Sequence, residues 1–209
     1  MNIVIISGSQ RKNSSANAVA QAISIRAKAS NDVVNCRLIN LSKLSIPLWD
    51  EDLCKEIDHW LDDWYDTHRL LQHADAVIVV SPEWEEVTLK NFFALCERSE
   101  LTALPGLVVR IASTCRGAFS AQELRLSNFV FNRLCFVLDH IVVATTDEVI
   151  KCKQEDYQLD GLSAERLDYG FKLLRCFANG DTPIAQVMQP HHKVMLPKEP
   201  ARRTLLAYQ

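Results

Sequence analysis

Two short, uninterrupted apolar runs constrain the fold of this chain more than any other feature. Residues 2–7 read Asn-Ile-Val-Ile-Ile-Ser, and residues 76–81 read Ala-Val-Ile-Val-Val-Ser. Neither run alternates apolar with polar residues, as a strand with one solvent-facing side would. Both are short and rich in β-branched residues, so they predict strands, at 2–7 and at 76–80, that are covered on both faces.

Longer segments with helical periodicity alternate with strand-like runs along the chain. Further strands are predicted at residues 33–39, 106–113 and 136–144, and helices at 14–29, 56–73, 88–99, 118–134 and 163–179. Such βα repeats are typical of a parallel sheet with helices on both faces, because parallel strands need crossover connections. The right-handed crossover rule then favours a doubly wound, flavodoxin-like α/β fold with five strands in the order 2-1-3-4-5.

Length, charge and cysteine usage limit the classes of protein to which this chain can belong. The 209 residues suit one domain, which we assign to 1–180, and residues 181–209, with four prolines and a basic cluster, form a C-terminal tail. A formal net charge of −3 favours neither nucleic acid nor a membrane surface as partner. Seven scattered cysteines without a Cys-x-x-Cys pair indicate neither a disulfide framework nor a metal site, and they predict a cytoplasmic protein. No secretion signal or membrane-spanning run is expected.

The predicted fold indicates where a ligand would bind. In doubly wound sheets, ligands lie beyond the carboxyl ends of the strands, where the strand order reverses. The loops at residues 8–15, 81–87 and 113–119 follow the first, third and fourth predicted strands. We therefore expect these three loops to form the binding cleft.

The first of these loops has the composition of an anion site. It reads Gly-Ser-Gln-Arg-Lys-Asn-Ser-Ser and leads into the first predicted helix, which Ser14 or Ser15 can cap. A helix N-terminus offers backbone N–H groups and a partial positive charge, and Arg11 adds a charged donor. With the hydroxyl groups of Ser9 and its neighbours, the loop suits a terminal phosphate monoester. The simpler alternative is a serine-capped loop with an exposed arginine.

Four short motifs follow one another in order along the chain. They are Gly-Ser-x-Arg-x-x-Ser at 8–14, Ile-Pro-Leu-Trp-Asp-Glu at 46–51, Ser-Pro-Glu-Trp at 81–84 with Leu-Lys-Asn at 89–91, and Ser-Thr-Cys-Arg-Gly-Ala at 113–118 with Glu-Leu-Arg at 123–125. Taken together they resemble the motifs of the NAD(P)H-dependent FMN reductases, over roughly residues 1–145.

The resemblance implies a flavoenzyme. FMN would bind with its phosphate in the first loop, NADPH or NADH would donate electrons, and a flavin, a quinone or a similar small-molecule acceptor would receive them. The implied cofactor-binding residues are Ser9, Arg11, Ser14, Ser15, Asn17, Pro82, Glu83, Trp84, Ser113, Arg116 and Gly117. The flavin carries the hydride chemistry, so no catalytic side chain is expected. The family also implies a homodimer or a higher homo-oligomer.

One segment departs from the family pattern and leaves alternatives open. Only Glu-Glu-Val-Thr, at 85–88, separates Trp84 from the Leu-Lys-Asn motif, where the family has a longer stretch with glycine and proline. The alternative is a flavin-free relative that acts as a binding or regulatory protein. A third interpretation is a one-electron carrier like flavodoxin, although such carriers tend to be strongly acidic and this chain is nearly neutral.

Overall fold

The computed structural model describes residues 1–48, 61–82, 87–96, 101, 103–112, 124–125, 132–136, 140–144, 159 and 161–180. The strands are β1 (Asn2–Ser7), β2 (Asn35–Asn40), β3 (Ala76–Ser81), β4 (Pro105–Ala112), β5 (Cys135–Phe136) and β6 (Ile141–Ala144). The helices are α1 (Ser15–Ala29), α2 (Leu61–Gln72), α3 (Val87–Leu95) and α4 (Gly161–Ala178), with a short 3₁₀ turn at Leu41–Lys43.

All strand pairs in the sheet are parallel, and the order is β2-β1-β3-β4-β5, with β6 also paired to β4. This confirms the predicted flavodoxin-like α/β fold. The predicted fifth strand is divided into β5 and β6, which pair with the beginning and the end of β4. Gly106 faces Phe136 and Val109 faces Ile141. The chain therefore advances five residues between these two pairs where β4 advances only three, which leaves two extra residues between β5 and β6. Extra residues of this kind interrupt a regular ladder.

The sheet is buried on both faces. In β1, Ile3 and Ile5 belong to a core shared with α1 and α4, whereas Val4 and Ile6 belong to a core shared with α2 and α3. Every residue of β3 and β4 is buried. The non-alternating apolar runs are therefore explained by two hydrophobic layers, one on each side of the central strands.

The helices are anchored by packing and by a few polar contacts. Small residues let α1 lie close to the sheet, and Arg26 on α1 forms a two-bond ion pair with Asp168 on α4, at 2.7 and 2.5 Å. On the other face, the rings of Trp64 and Phe92 meet edge to face, with 5.6 Å between centroids.

Within the described ranges, no helix is both long enough and apolar enough to cross a membrane.

A close contact joins the end of β1 to α3. The backbone of Gly8 lies so near Leu89 that a β-carbon on Gly8 would overlap the Cγ and Cδ1 atoms of that side chain. Leu89 is fully buried, so it has little room to move away. Glycine is thus required at this position by packing.

We expect the substitution Gly8→Ala to lower the free energy of unfolding by about 1–3 kcal/mol, the usual cost of overpacking a buried site. The matched control is Gly161→Ala at the start of α4, where an added β-carbon would meet no atom within 4 Å. Urea unfolding followed by circular dichroism measures both variants. Equal stability of the two variants would contradict the packing role of Gly8.

Candidate functional site

The strands that precede the three predicted cleft loops end side by side. Ser7 at the end of β1 is in register with Val80 of β3, and Ser81 is in register with Arg110 of β4. The Gly8 N–H extends the ladder by donating to the Val80 carbonyl, at 2.9 Å. The adjacent strands β1, β3 and β4 therefore end at nearly one level, and their carboxyl ends form a single edge.

The first loop ends in a capped helix N-terminus. Ser14 has extended backbone angles, and its side chain accepts a hydrogen bond from the Asn17 N–H at 3.1 Å, as an N-cap residue does. The first turn of α1, which is fully described, contains no acidic residue. The N–H groups of Ser15 and Ala16 belong to the set that helical geometry leaves without a helical acceptor. This end of α1 is consequently electropositive and suited to an anion.

Ser9 and Arg11 form a tight turn before the helix. Ser9 is fully buried, and its Oγ accepts a hydrogen bond from the Arg11 backbone N–H at 3.2 Å. Arg11 itself is exposed at the surface of the loop. The turn thus combines a buried hydroxyl group with an exposed guanidinium, whose planar fork of N–H donors suits phosphate oxygens.

Asn17 organises this loop from beneath. Its Nδ2 donates to the carbonyl oxygens of Arg11 and Lys12, at 3.0 and 3.2 Å. Its Oδ1 accepts a hydrogen bond from the hydroxyl group of Ser7. Asn17 is nearly buried, so these bonds form away from water, where an unpaired polar group would be costly. We therefore assign Asn17 to shaping the loop, and direct contact with a cofactor stays a prediction.

The same amide connects the first loop to the end of β2. Asn17 Nδ2 is 3.4 Å from the Oγ of Ser42, and the Ser42 N–H donates to Asn40 Oδ1 at 3.0 Å. Ser42 lies in the 3₁₀ turn that follows β2. The ends of β1 and β2 are thereby joined through side chains as well as through the sheet.

Helix α3 brings two more of the sequence motifs into contact. Asn91, from the Leu-Lys-Asn motif, donates its Nδ2 to the Pro47 carbonyl at 2.8 Å. Leu89, from the same motif, packs against Gly8. Three motifs that are distant in sequence therefore meet at one end of the sheet, around the beginning of α3.

Arg110, a buried residue behind this edge, was not predicted from the sequence. Only 2% of its surface is exposed, and its Nη1 donates to Ser81 Oγ at 2.6 Å. The signal in the sequence is one arginine within the apolar run of β4. The Arg110 side chain therefore lies directly behind Ser81, the residue that precedes Pro82.

The structure brings together about half of the predicted site residues. Ser9, Arg11, Ser14, Ser15 and Asn17 lie in or under the first loop, and Pro82 is buried next to the end of β3. The other predicted residues, Glu83, Trp84, Ser113, Arg116 and Gly117, lie outside the described residues. Among the side chains that are described, no group of three or more His, Cys, Asp or Glu could hold a metal ion.

Comparisons with known proteins agree with this architecture. A family model described as NADPH-dependent FMN reductase matches residues 1–148. The NADH:FMN oxidoreductase EMOB, in its apo form, superposes with a TM-score of 0.63 at 18% identity, covering 83% of this chain and 88% of its own. RosB superposes with a TM-score of 0.61 at 11% identity, covering 88% and 82%. FerB from Paracoccus denitrificans gives 0.56 at 16% identity, covering 86% and 97%.

At these identities, the solved structures establish a shared fold. No curated protein matches the sequence at a significant level.

The central position of Asn17 leads to a prediction about stability. We expect Asn17→Ala to lower the free energy of unfolding by about 2–3 kcal/mol, because several buried hydrogen bonds lose their partner. Asn13→Ala serves as the control, since Asn13 is an exposed asparagine in the same loop and should change stability by less than about 0.5 kcal/mol. Chemical denaturation of both variants makes the comparison. Similar stability of the two would show that the Asn17 amide is not needed to hold the loop.

Proposed function

This chain belongs to the NADPH-dependent FMN reductase family, and we propose on that basis that it is itself an NAD(P)H-dependent FMN reductase. Electrons would pass from NADPH or NADH through bound FMN to a flavin, a quinone or a similar small-molecule acceptor. The observation that carries the proposal is the first loop, where a capped helix N-terminus, serine hydroxyl groups and a guanidinium lie together at the carboxyl edge of the sheet.

The donors of this loop fit a phosphate monoester. Ser14 supplies a hydroxyl group, the first turn of α1 supplies backbone N–H groups, and Arg11 supplies a charged fork, while the buried Ser9 hydroxyl group holds the turn beneath them. Each donor is neutral or positive, so a doubly negative phosphate would replace its water shell with matched partners. Asn17 would hold the two peptide groups at Arg11 and Lys12 in place during binding. The residues of the first loop therefore fit the phosphate end of FMN.

The roles proposed for the other predicted site residues follow from the protein's task of positioning the cofactor. FMN, when bound, supplies the hydride-accepting chemistry, and the protein's task is to bind and orient it. We propose that Pro82, Glu83 and Trp84 border one side of the flavin ring and that Ser113, Arg116 and Gly117 border the other. The support is the register of β3 and β4, which starts both loops at the same edge.

A homodimer is proposed as the assembly. Leu48 and Val87 are apolar side chains with 75% and 72% of their surface exposed. Leu48 follows Pro47, which is bound by Asn91, and Val87 lies one helical turn before Asn91. Both therefore lie at the same end of α3, close to the proposed cleft. Exposed apolar residues next to a binding site are typical of an interface.

The cofactor is tested by equilibrium titration of the purified chain with FMN, followed by flavin fluorescence. We expect saturable binding and bleaching of the visible flavin band on addition of NADPH. Arg11→Gln should weaken FMN binding about 10- to 100-fold, the range for losing a charge-assisted hydrogen bond. Riboflavin, which has no phosphate, should bind the variant and the natural protein equally.

Lys12→Gln is the matched control, since it removes one exposed positive charge from the same loop. Its effect on FMN affinity should stay below about threefold, as expected for a solvent-screened charge. Absence of any FMN binding would favour the flavin-free alternative. Steady NADPH oxidation by the protein alone, with a quinone as acceptor, would distinguish a reductase from a one-electron carrier.

The dimer is tested by analytical ultracentrifugation of variants with a buried charge at the proposed interface. Leu48→Glu and Val87→Glu should each shift the protein toward monomer, because a carboxylate would lose its hydration there. Val34→Glu is the control, since Val34 is 84% exposed but lies at the opposite edge, next to Met1. A natural protein that sediments as a monomer at all concentrations would overturn this proposal.

A further inference from the structure

The outer edge of β2 has backbone groups that point away from the rest of the sheet. The Asn35 N–H donates to the Met1 carbonyl at 3.5 Å, so Asn35 directs its backbone groups toward β1. The N–H and C=O groups of successive residues in a strand point to opposite sides, so those of Cys36 and Leu38 point outward. In the part of the chain that the structure describes, no strand pairs with this side of β2. Such an edge is a template for a further strand.

This edge lies at the bottom of an open groove of about 550 Å³, which follows β2 over almost its full length. Helix α1 forms one wall through Ser24, and helix α2 forms the other through Thr67. Leu38 is partly buried against the core on the α1 side, and Leu70 is partly buried against the core on the α2 side. The groove therefore suits an extended segment that runs beside β2, because alternate side chains of such a segment would contact opposite faces of the sheet.

Helix α4 leads the chain toward the beginning of β2. The Nη1 atom of Arg175 donates to the Asp32 carboxylate at 2.7 Å, and Asp32 comes three residues before β2. Helix α4 ends at Ala178, three residues after Arg175. The chain therefore leaves this helix close to the amino end of the edge strand. It continues with residues 181–209, which lie outside the described residues.

The face of the sheet on which α4 lies also favours a continuation beside β2. Helices α1 and α4 pack on the same face, and α1 connects β1 to β2. A connection from β6 through α4 to the outer side of β2 would run in the same direction along the sheet and across the same face. It would therefore have the same hand as the β1–α1–β2 unit, and nearly all crossovers between parallel strands share one hand.

The first apolar segment after α4 has the composition of a short strand. Residues 184–188 read Ile-Ala-Gln-Val-Met, contain no charge and lie between Pro183 and Pro190. Isoleucine and valine favour strands, and proline is tolerated at the ends of strands and on edge strands. Apolar residues occupy both sets of alternate positions, as expected where both faces are covered. The three residues between Gly180 and this segment allow a span of about 13 Å when extended.

We propose that residues 184–188 add to the sheet as a further parallel strand beside β2, in the groove between α1 and α2. The parallel direction follows from the end of α4, since the chain starts at the amino end of β2 and has to run toward its carboxyl end. The added strand would pair with the outward backbone groups of Cys36 and Leu38. It would thereby close an edge at which another chain could otherwise pair. The proposal does not depend on whether FMN binds at the first loop.

Amide hydrogen exchange of the full-length protein, resolved for single residues by NMR, tests the pairing. The Arg37 and Ile39 N–H groups share the orientation of Asn35 and face β1, whereas those of Cys36 and Leu38 face the groove. We expect slow exchange at all four positions in the natural protein. Fast exchange at Cys36 and Leu38, beside slow exchange at Arg37 and Ile39, would overturn the proposal.

A double proline variant tests the identity of the added strand. Gln186→Pro together with Val187→Pro removes two successive N–H groups, one of which would face β2 in either orientation of the segment. Exchange at Cys36 and Leu38 should become at least about tenfold faster, because the local structure that protects these groups is lost. Unchanged exchange at both positions would show that residues 184–188 do not cover the edge.

Two controls accompany this variant. Val194→Pro together with Met195→Pro places the same change later in the tail, beyond Pro190, and should leave exchange at Cys36 unchanged. Arg37 is the internal reference in every sample, since its N–H faces β1, and its exchange rate should be the same in both double variants. Equal acceleration at Cys36 by the two double variants would contradict the assignment to residues 184–188.

Nuclear Overhauser effects identify the added strand directly. In uniformly labelled protein, we expect backbone contacts between Leu38 and residues 184–188. A mixture of labelled and unlabelled chains, recorded with an isotope filter, should show no such contact between different chains. Contacts of Leu38 with another segment, or contacts found only between chains, would overturn the proposal.

Discussion

Strands β1, β3 and β4 are covered on both faces, by α1 and α4 on one side and by α2 and α3 on the other. A strand in this position has no face on which to carry exposed polar side chains, so the chemistry of the protein is restricted to the ends of the strands. At the carboxyl ends, the backbone turns into loops that can present hydroxyl groups, N–H groups and charges to a ligand. The two-layered core thus determines the location of the first loop and its neighbours.

The carboxyl edge is held together by contacts between loops as well as by the sheet. Asn17 joins the first loop to the 3₁₀ turn after β2, and α3 contacts Gly8 through Leu89 and Pro47 through Asn91. These contacts explain how short motifs that are widely separated in the sequence come to lie at one edge of the sheet. Among the described residues, the motifs at Gly8, at Pro47 and at Leu89–Asn91 each supply a partner of such a contact. A loop that is fixed in this way can bind a phosphate without a large loss of conformational entropy.

The strand order and the two-sided core could be predicted from the sequence, because uninterrupted apolar runs alternating with amphipathic helices admit few arrangements. The N-cap at Ser14 was also foreseeable, since serine before an apolar helix is a strong local signal. The division of the fifth strand was not, because residues 136–144 have strand propensity throughout and register depends on the facing strand.

The roles of Asn17 and Arg110 could not be predicted either. The bonds of Asn17 to Ser7 and Ser42, and the bond of Arg110 to Ser81, depend on tertiary placement. An asparagine in a first helical turn and an arginine in a strand give no indication of their partners when the sequence is read alone.

The turn between α1 and β2 has a further consequence. The Met1 amino group donates to the Asp32 carbonyl at 3.2 Å, and the Asp32 side chain accepts a hydrogen bond from Arg175, near the end of α4, at 2.7 Å. The first residue and the last described helix therefore converge on one aspartate at the amino edge of the sheet. An affinity tag or fusion partner joined before Met1 would therefore project from the side of the sheet remote from the first loop.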